Sequence, residues 1–135
     1  MDQQLIVKNI RKDLVYPDLS YKIIGCAFEV FNELGFGFAE KDYQKALAIC
    51  FRKNNIGYKE QVYFPIKFHG EIIRKGFCDF IVEEKVIVEL KKNPRFSKSN
   101  IDQVNQYFKS SNLKLALLIN YTPNGVISKR LLNLY

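Results

Sequence analysis

Apolar side chains recur at helical spacing near the start of the chain, where Ile23, Ala27, Val30, Phe31 and Leu34 fall on one face. Asp18 or Ser20 is the expected cap, and Gly35-Phe36-Gly37 the stop. A second helix is expected from Glu40 to Asn54, with Tyr43, Ala46, Leu47 and Cys50 as its stripe and Asn54-Asn55-Ile56-Gly57 as its end. The pattern then turns to strands. Val62–Phe68 reads as one, with Pro65 marking an edge or a bulge. His69-Gly70-Glu71 turns, Ile72–Val82 returns, Glu83-Glu84-Lys85 turns again, and Val86–Lys91 is the most hydrophobic strand. Asn93-Pro94 breaks it. A third helix is expected over Lys98–Ser110 with Ile101, Val104, Tyr107 and Phe108 inward, then a buried strand over Leu113–Tyr121, a turn at Pro123-Asn124-Gly125 and a short closing element. The expected order, αα-ββββ-α-β, is that of an α/β sandwich around a mixed sheet. Residues 1–17 show no clear period and read as a loosely tied arm with room for a short helix. The division expected is an arm over 1–18 and a single domain over 19–135.

A length of 135 residues fits one domain, and 47% hydrophobic with 26% charged residues argues against disorder. Apolar runs such as Leu115–Ile119 are too short to span a bilayer. Met1-Asp2-Gln3-Gln4 offers no basic stretch leading into an apolar one, so the cytoplasm is the expected location and no membrane is expected as partner. Cys26, Cys50 and Cys78 are odd in number and lack metal-ligand spacing; they read as reduced, buried thiols. The single histidine, His69, sits in a turn, which leaves histidine-dependent nucleophilic mechanisms without support. The glycine pair at Gly35 and Gly37 follows a helix and lacks a third glycine, so it is no dinucleotide fingerprint. Charge is uneven. Residues 1–90 hold 13 basic and 13 acidic side chains, whereas residues 91–135 hold 8 basic and 1 acidic and carry the whole net +7. That asymmetry favours a polyanionic partner over a merely solvated basic surface.

Two carboxylates stand where strand logic disfavours them. Glu89 and Lys91 lie in Val86-Ile87-Val88-Glu89-Leu90-Lys91, and Asp79 in Phe77-Cys78-Asp79-Phe80-Ile81-Val82. Burying such charges costs several kcal/mol unless they are paired or bind metal. A three-residue connection, Glu83–Lys85, pairs Val82 with Val86 and sets Asp79 opposite Glu89, on one face and roughly 5 Å apart at Cβ. A two-residue turn puts them on opposite faces. Together with Mg²⁺ the two acids make a hard, oxygen-rich site, and a nearby lysine can neutralise a phosphate or help activate water. The alternative is an Asp79–Lys91 or Glu89–Lys91 salt bridge at a strand end.

Asp79 followed by Glu89-Leu90-Lys91 resembles the core of the PD-(D/E)xK nuclease superfamily. Gly37-Phe38-Ala39-Glu40-Lys41-Asp42-Tyr43 resembles the signature of the GxxExxY protein family, a small branch of it. Ser20-Tyr21-Lys22-Ile23-Ile24-Gly25 and Ala27-Phe28-Glu29-Val30 are similar to that family's first helix, and Gln103-Val104-Asn105-Gln106-Tyr107 matches the QxxxY motif of exonuclease-like branches. The likeness runs from about Leu19 to Arg130 with its motifs in order. Phe31 stands where the family often has histidine, and Phe36 replaces the usual proline between the glycines; neither belongs to the acidic set.

The resemblance implies a restriction-endonuclease-like sandwich with a mixed sheet flanked by helices. It makes Asp79 and Glu89 ligands of Mg²⁺ or Mn²⁺, with the Leu90 carbonyl as a third. Lys91 becomes the catalytic lysine, Glu40 an additional acid holding metal or water, and Gln103 and Tyr107 line the site or contact the phosphate backbone. For Glu40 the plainer alternative is a first-turn acid favoured by the helix dipole, and for Tyr107 it is core packing. Lys92, Arg95 and Lys98, with no acid between them, would hold nucleic acid beside the site. The expected activity is metal-dependent hydrolysis of DNA, before RNA, leaving a 5′-phosphate. A non-catalytic nucleic-acid-binding or assembly module on the same fold is the alternative.

Overall fold

The computed structural model describes residues 15–92 and 96–134. Its elements run α1 (Pro17–Leu34), α2 (Glu40–Lys53), β1 (Tyr58–Phe68), β2 (Glu71–Val82), β3 (Val86–Lys91), α3 (Lys98–Lys109), β4 (Leu115–Thr122) and β5 (Gly125–Leu132). Three strands, not four, precede the last helix, and the closing element is a full strand. Nearly all of the expected arm, with its room for a short helix, lies outside the described residues.

Helix α1 opens at Pro17 rather than under an Asp18 or Ser20 cap. Proline suits the first helical position, because its missing N–H would have no partner there. Ser20 instead donates its hydroxyl back to the Tyr16 carbonyl at 2.8 Å. Gly35, at φ +73°, ends the helix and donates its N–H to the Phe31 carbonyl.

The five strands form one sheet in the order β1-β2-β3-β4-β5. All neighbours are antiparallel except β3 and β4, which run parallel and are joined through α3. Strands β3 and β4 are buried on both faces, as their unbroken apolar runs require. On one face α1 and α2 pack Ile23, Ala27, Val30, Tyr43, Leu47 and Phe51 against Phe80, Val88, Leu117 and Tyr121. On the other, α3 packs Val104, Tyr107 and Phe108 against Ile87, Ala116 and Leu118. The three cysteines are buried free thiols, and His69 is exposed in its turn. Among the described residues no helix is long and apolar enough to cross a membrane.

Strand β3 pairs only with Phe80, Ile81 and Val82 of β2. Beyond them β1 and β2 continue as a two-stranded ribbon, with Pro65 on the edge strand and a bulge at Ile66–Lys67. The base of this ribbon is seated by Gly76. A Cβ there would stand 2.6 Å from the Phe64 carbonyl and 3.1 Å from the Tyr107 ring. Gly76→Ala is therefore expected to cost about 1–3 kcal/mol in urea unfolding, from overpacking rather than from backbone strain.

Candidate active site

The β2–β3 connection has the odd length that sets the expected register. Val82 pairs with Val86, Ile81 with Ile87 and Phe80 with Val88. Glu83 and Glu84 make the turn at φ +52° and +57°. Past Phe80 side-chain bonds replace the ladder bonds. The Asp79 N–H donates to Glu89 Oε1 at 2.9 Å, and the Leu90 N–H donates to Asp79 Oδ2 at 2.8 Å. Each carboxylate thus reaches across to the other's strand. Strict alternation breaks here, since Cys78 packs against α3 whereas Phe80 packs against α1 and α2. Opposite Asp79 on β1, Gln61 adopts φ +48° and donates its amide both to Asp79 Oδ1 at 3.2 Å and to Gln44 Oε1 at 3.0 Å.

Helix α2 delivers Glu40 to the same place. Its first turn carries two acids with different work. Asp42 accepts from the Ala39 N–H and caps the helix, whereas Glu40 Oε1 accepts from the Lys92 N–H at 3.0 Å, just past the end of β3. A simple dipole role for Glu40 does not account for that long-range bond. Tyr43, one turn on, explains the spacing of the signature. Its buried ring stacks on Tyr121 at 4.1 Å, and its hydroxyl donates to the Gly35 carbonyl at 2.6 Å. That fixes the loop from Gly35 to Ala39 and hence the start of α2.

Burial, and next the charge of Asp79, pushes the Glu89 carboxyl up to about 8. Burial also raises Asp79, with Glu40 adding to it, while the Leu90 N–H, Gln61 and Lys91 act against the rise. Lys91 lowers both acids through space, yet forms no ion pair with either. The salt-bridge alternative therefore lacks its bond. Two mutually repelling carboxylates are chemically suited to a hard divalent cation. Among the described residues no three acids, histidines or cysteines group tightly enough to hold one alone. Asp79 and Glu89 would thus supply two ligands, leaving the rest to main-chain, water or substrate oxygens. Leu90 meets the site through its N–H; its side chain is core.

Gln103 donates to the Tyr107 hydroxyl at 2.6 Å, which donates in turn to the Phe77 carbonyl at 2.9 Å. Tyr107 has no exposed surface and stacks on Phe64. Core packing is the role its geometry supports, and a direct phosphate contact is closed to it. Lys92 lies over the Phe36 ring, and Lys98 is exposed at the start of α3. Arg95 lies outside the described residues.

Three side chains escaped sequence reasoning. Gln44 and Gln61 join Glu40 and Asp79 around a cleft of about 500 Å³, and nothing in a β1 pattern marked Gln61 for a left-handed backbone. Asn120 pairs in register with Lys91 on β4, is wholly buried, and leaves both ends of its amide without a hydrogen-bond partner. Its signal was available, as a polar residue inside Leu115–Tyr121.

A protein-family model described as "PD-(D/E)XK nuclease superfamily" matches residues 17–131. Two solved structures share the fold. An alkaline exonuclease (LHK-Exo) from Laribacter hongkongensis superposes at a TM-score of 0.50 with 10% identity, over 69% of this chain and 54% of its own. SSO0001 superposes at 0.52 with 14% identity, over 93% of this chain and 61% of its own. The chain thus spans little more than half the length of either. No curated protein sequence matches it. The shared architecture is the restriction-endonuclease-like α/β sandwich.

Proposed function

The chain belongs to the PD-(D/E)XK nuclease superfamily, and from that premise we propose that it is a metal-dependent nuclease that hydrolyses phosphodiester bonds of DNA, in preference to RNA. The observation that carries this reading is the reciprocal bonding of Asp79 and Glu89 across β2 and β3, with Lys91 and Glu40 coupled to both. Asp79 and Glu89 hold Mg²⁺ or Mn²⁺, with the Leu90 carbonyl as a further ligand. The bound ion supplies Lewis-acid polarisation of the phosphate and a more acidic water. Lys91 neutralises charge gathering on the phosphate oxygens, and Glu40 orients the attacking water. Gln103 lines the site, held in place by Tyr107. The Gly37–Tyr43 signature supports placement in the GxxExxY branch, and residues 19–135 act as one cytoplasmic domain.

The basic side chains after Leu90 support the nucleic-acid assignment. Lys92, Arg95 and Lys98 grip the backbone as point charges, so affinity falls steeply with salt. Neutralising all three is expected to reduce the slope of log affinity against log salt by about 2–3. The deciding assay offers DNA and RNA, single- and double-stranded, to the folded protein with Mg²⁺, Mn²⁺ or chelator. Metal-dependent cleavage of DNA is expected. Salt-dependent binding with no cleavage under any metal would instead establish a non-catalytic binding module.

A further inference from the structure

The ribbon that leads away from Asp79 carries an aromatic pair that the hydrolytic reading leaves unused. Tyr63 and Phe77 sit directly opposite one another in the β1–β2 ladder, with ring centroids 5.5 Å apart and planes tilted by 50°. They are 42% and 44% exposed, in a chain whose other tyrosines and phenylalanines include six that are wholly buried. Their neighbours Val62, Phe64 and Cys78 pack against α3, so Tyr63 and Phe77 occupy the opposite face. Gln61 and Asp79 lie two residues back toward the site, a distance of about 7 Å along a strand. Pro65 and Lys75 pair two residues further out. The outer ribbon, residues 62–78, holds Lys67, Arg74 and Lys75 against the single acid Glu71.

We propose that Tyr63 and Phe77 form a stacking platform for a nucleobase adjacent to the cleaved phosphate, so that the site takes single-stranded or frayed DNA. The proposal rests on the nuclease reading and names its substrate class. Stacking on aromatic rings beside cations is how single strands are held without sequence readout, because every base offers a π-face. In an intact duplex those faces are covered by neighbouring bases. The platform is also firmly seated. The Phe77 carbonyl accepts from the Tyr107 hydroxyl, and Tyr107 stacks on Phe64 at 4.8 Å behind it, so little ordering remains to be done on binding.

The test measures binding of a labelled single-stranded DNA and its blunt duplex in chelator, where no cleavage occurs, together with sedimentation of the protein alone. Tyr63→Ala with Phe77→Ala is expected to weaken single-strand binding about 10- to 100-fold and duplex binding less than about threefold, leaving the salt slope unchanged. Tyr63→Phe is expected to keep affinity, and Phe77→Leu, which is apolar without a π-system, to lose it. Both rings are half exposed, and melting of each variant checks that folding is intact; if the double variant is unstable, Tyr63→Ala alone decides. Unchanged single-strand affinity, equal loss on duplex, rescue by leucine, or a change in self-association instead of DNA binding would each overturn the platform. If the wild-type protein binds neither form and cleaves no DNA with metal, the nuclease reading itself falls; if it cleaves but binds neither form without metal, or binds both and the variants do nothing, the platform alone falls.

Discussion

Asp79→Asn is expected to lower metal-dependent cleavage by at least about a thousandfold while leaving the metal-free protein as stable as the parent, or more so. The reason lies in what surrounds the carboxylate. Burial disfavours its charge, Glu40 repels it, and Glu89 is itself pushed up by its presence. An amide removes that repulsion and keeps one acceptor for the Leu90 N–H. A buried ion pair would behave in the opposite way, because removing one partner strands the other at a cost of about 3–5 kcal/mol. Metal that binds only the folded parent should stabilise it by about 2.7 kcal/mol at a hundredfold excess over its dissociation constant, and so raise its melting point. Melts of parent and variant, each with chelator and with Mn²⁺, separate the two. A large loss in the variant under chelator, with no metal response in the parent, would leave a structural polar cluster and no enzyme.

In chelator, folding stability is expected to fall as pH rises from about 5 to 8, and Glu89→Gln is expected to remove most of that fall. The folded protein holds a proton on Glu89 up to about 8, whereas the unfolded chain releases it in the ordinary carboxylate range. Over that window the native state binds more protons than the unfolded one. The stabilisation is therefore complete below the unfolded value and lost as pH climbs through the folded one. For a group this buried the loss is on the order of 3 kcal/mol, and the raised Asp79 acts in the same direction. Urea unfolding at pH 5, 6.5 and 8 reads it directly. A flat parent profile, or an undiminished fall in Glu89→Gln, would show that Glu89 does not carry the proton.

The hairpin holding the acids was legible as far as two registers, and the three-residue turn is the one that the fold adopts. Val82 against Val86 followed from residue counting once the turn was taken as Glu83–Lys85. The way the acids meet was not legible. It depends on the ladder parting after Phe80 and on the left-handed Gln61, neither of which has a composition signal. Strand β5 was read only as a short closing element because it is half exposed and lacks clean alternation, and its strand character comes from pairing with β4. Glu40 was found through its motif, but its partner, a main-chain N–H 52 residues away, is a fact of tertiary structure. Tyr107 shows the limit of motif transfer: the chain supplies the right residue, and packing decides whether its hydroxyl faces a ligand or the Phe77 carbonyl.

Each of the three acids accepts from a different main-chain N–H: Glu89 from that of Asp79, Asp79 from that of Leu90, and Glu40 from that of Lys92. A cation or a proton that draws electron density from any carboxylate must therefore disturb one identifiable N–H. The occupancy of the site is consequently written into three backbone NMR resonances, one per acid, and their separate titration would give the order in which the acids engage without a substrate or a mutation.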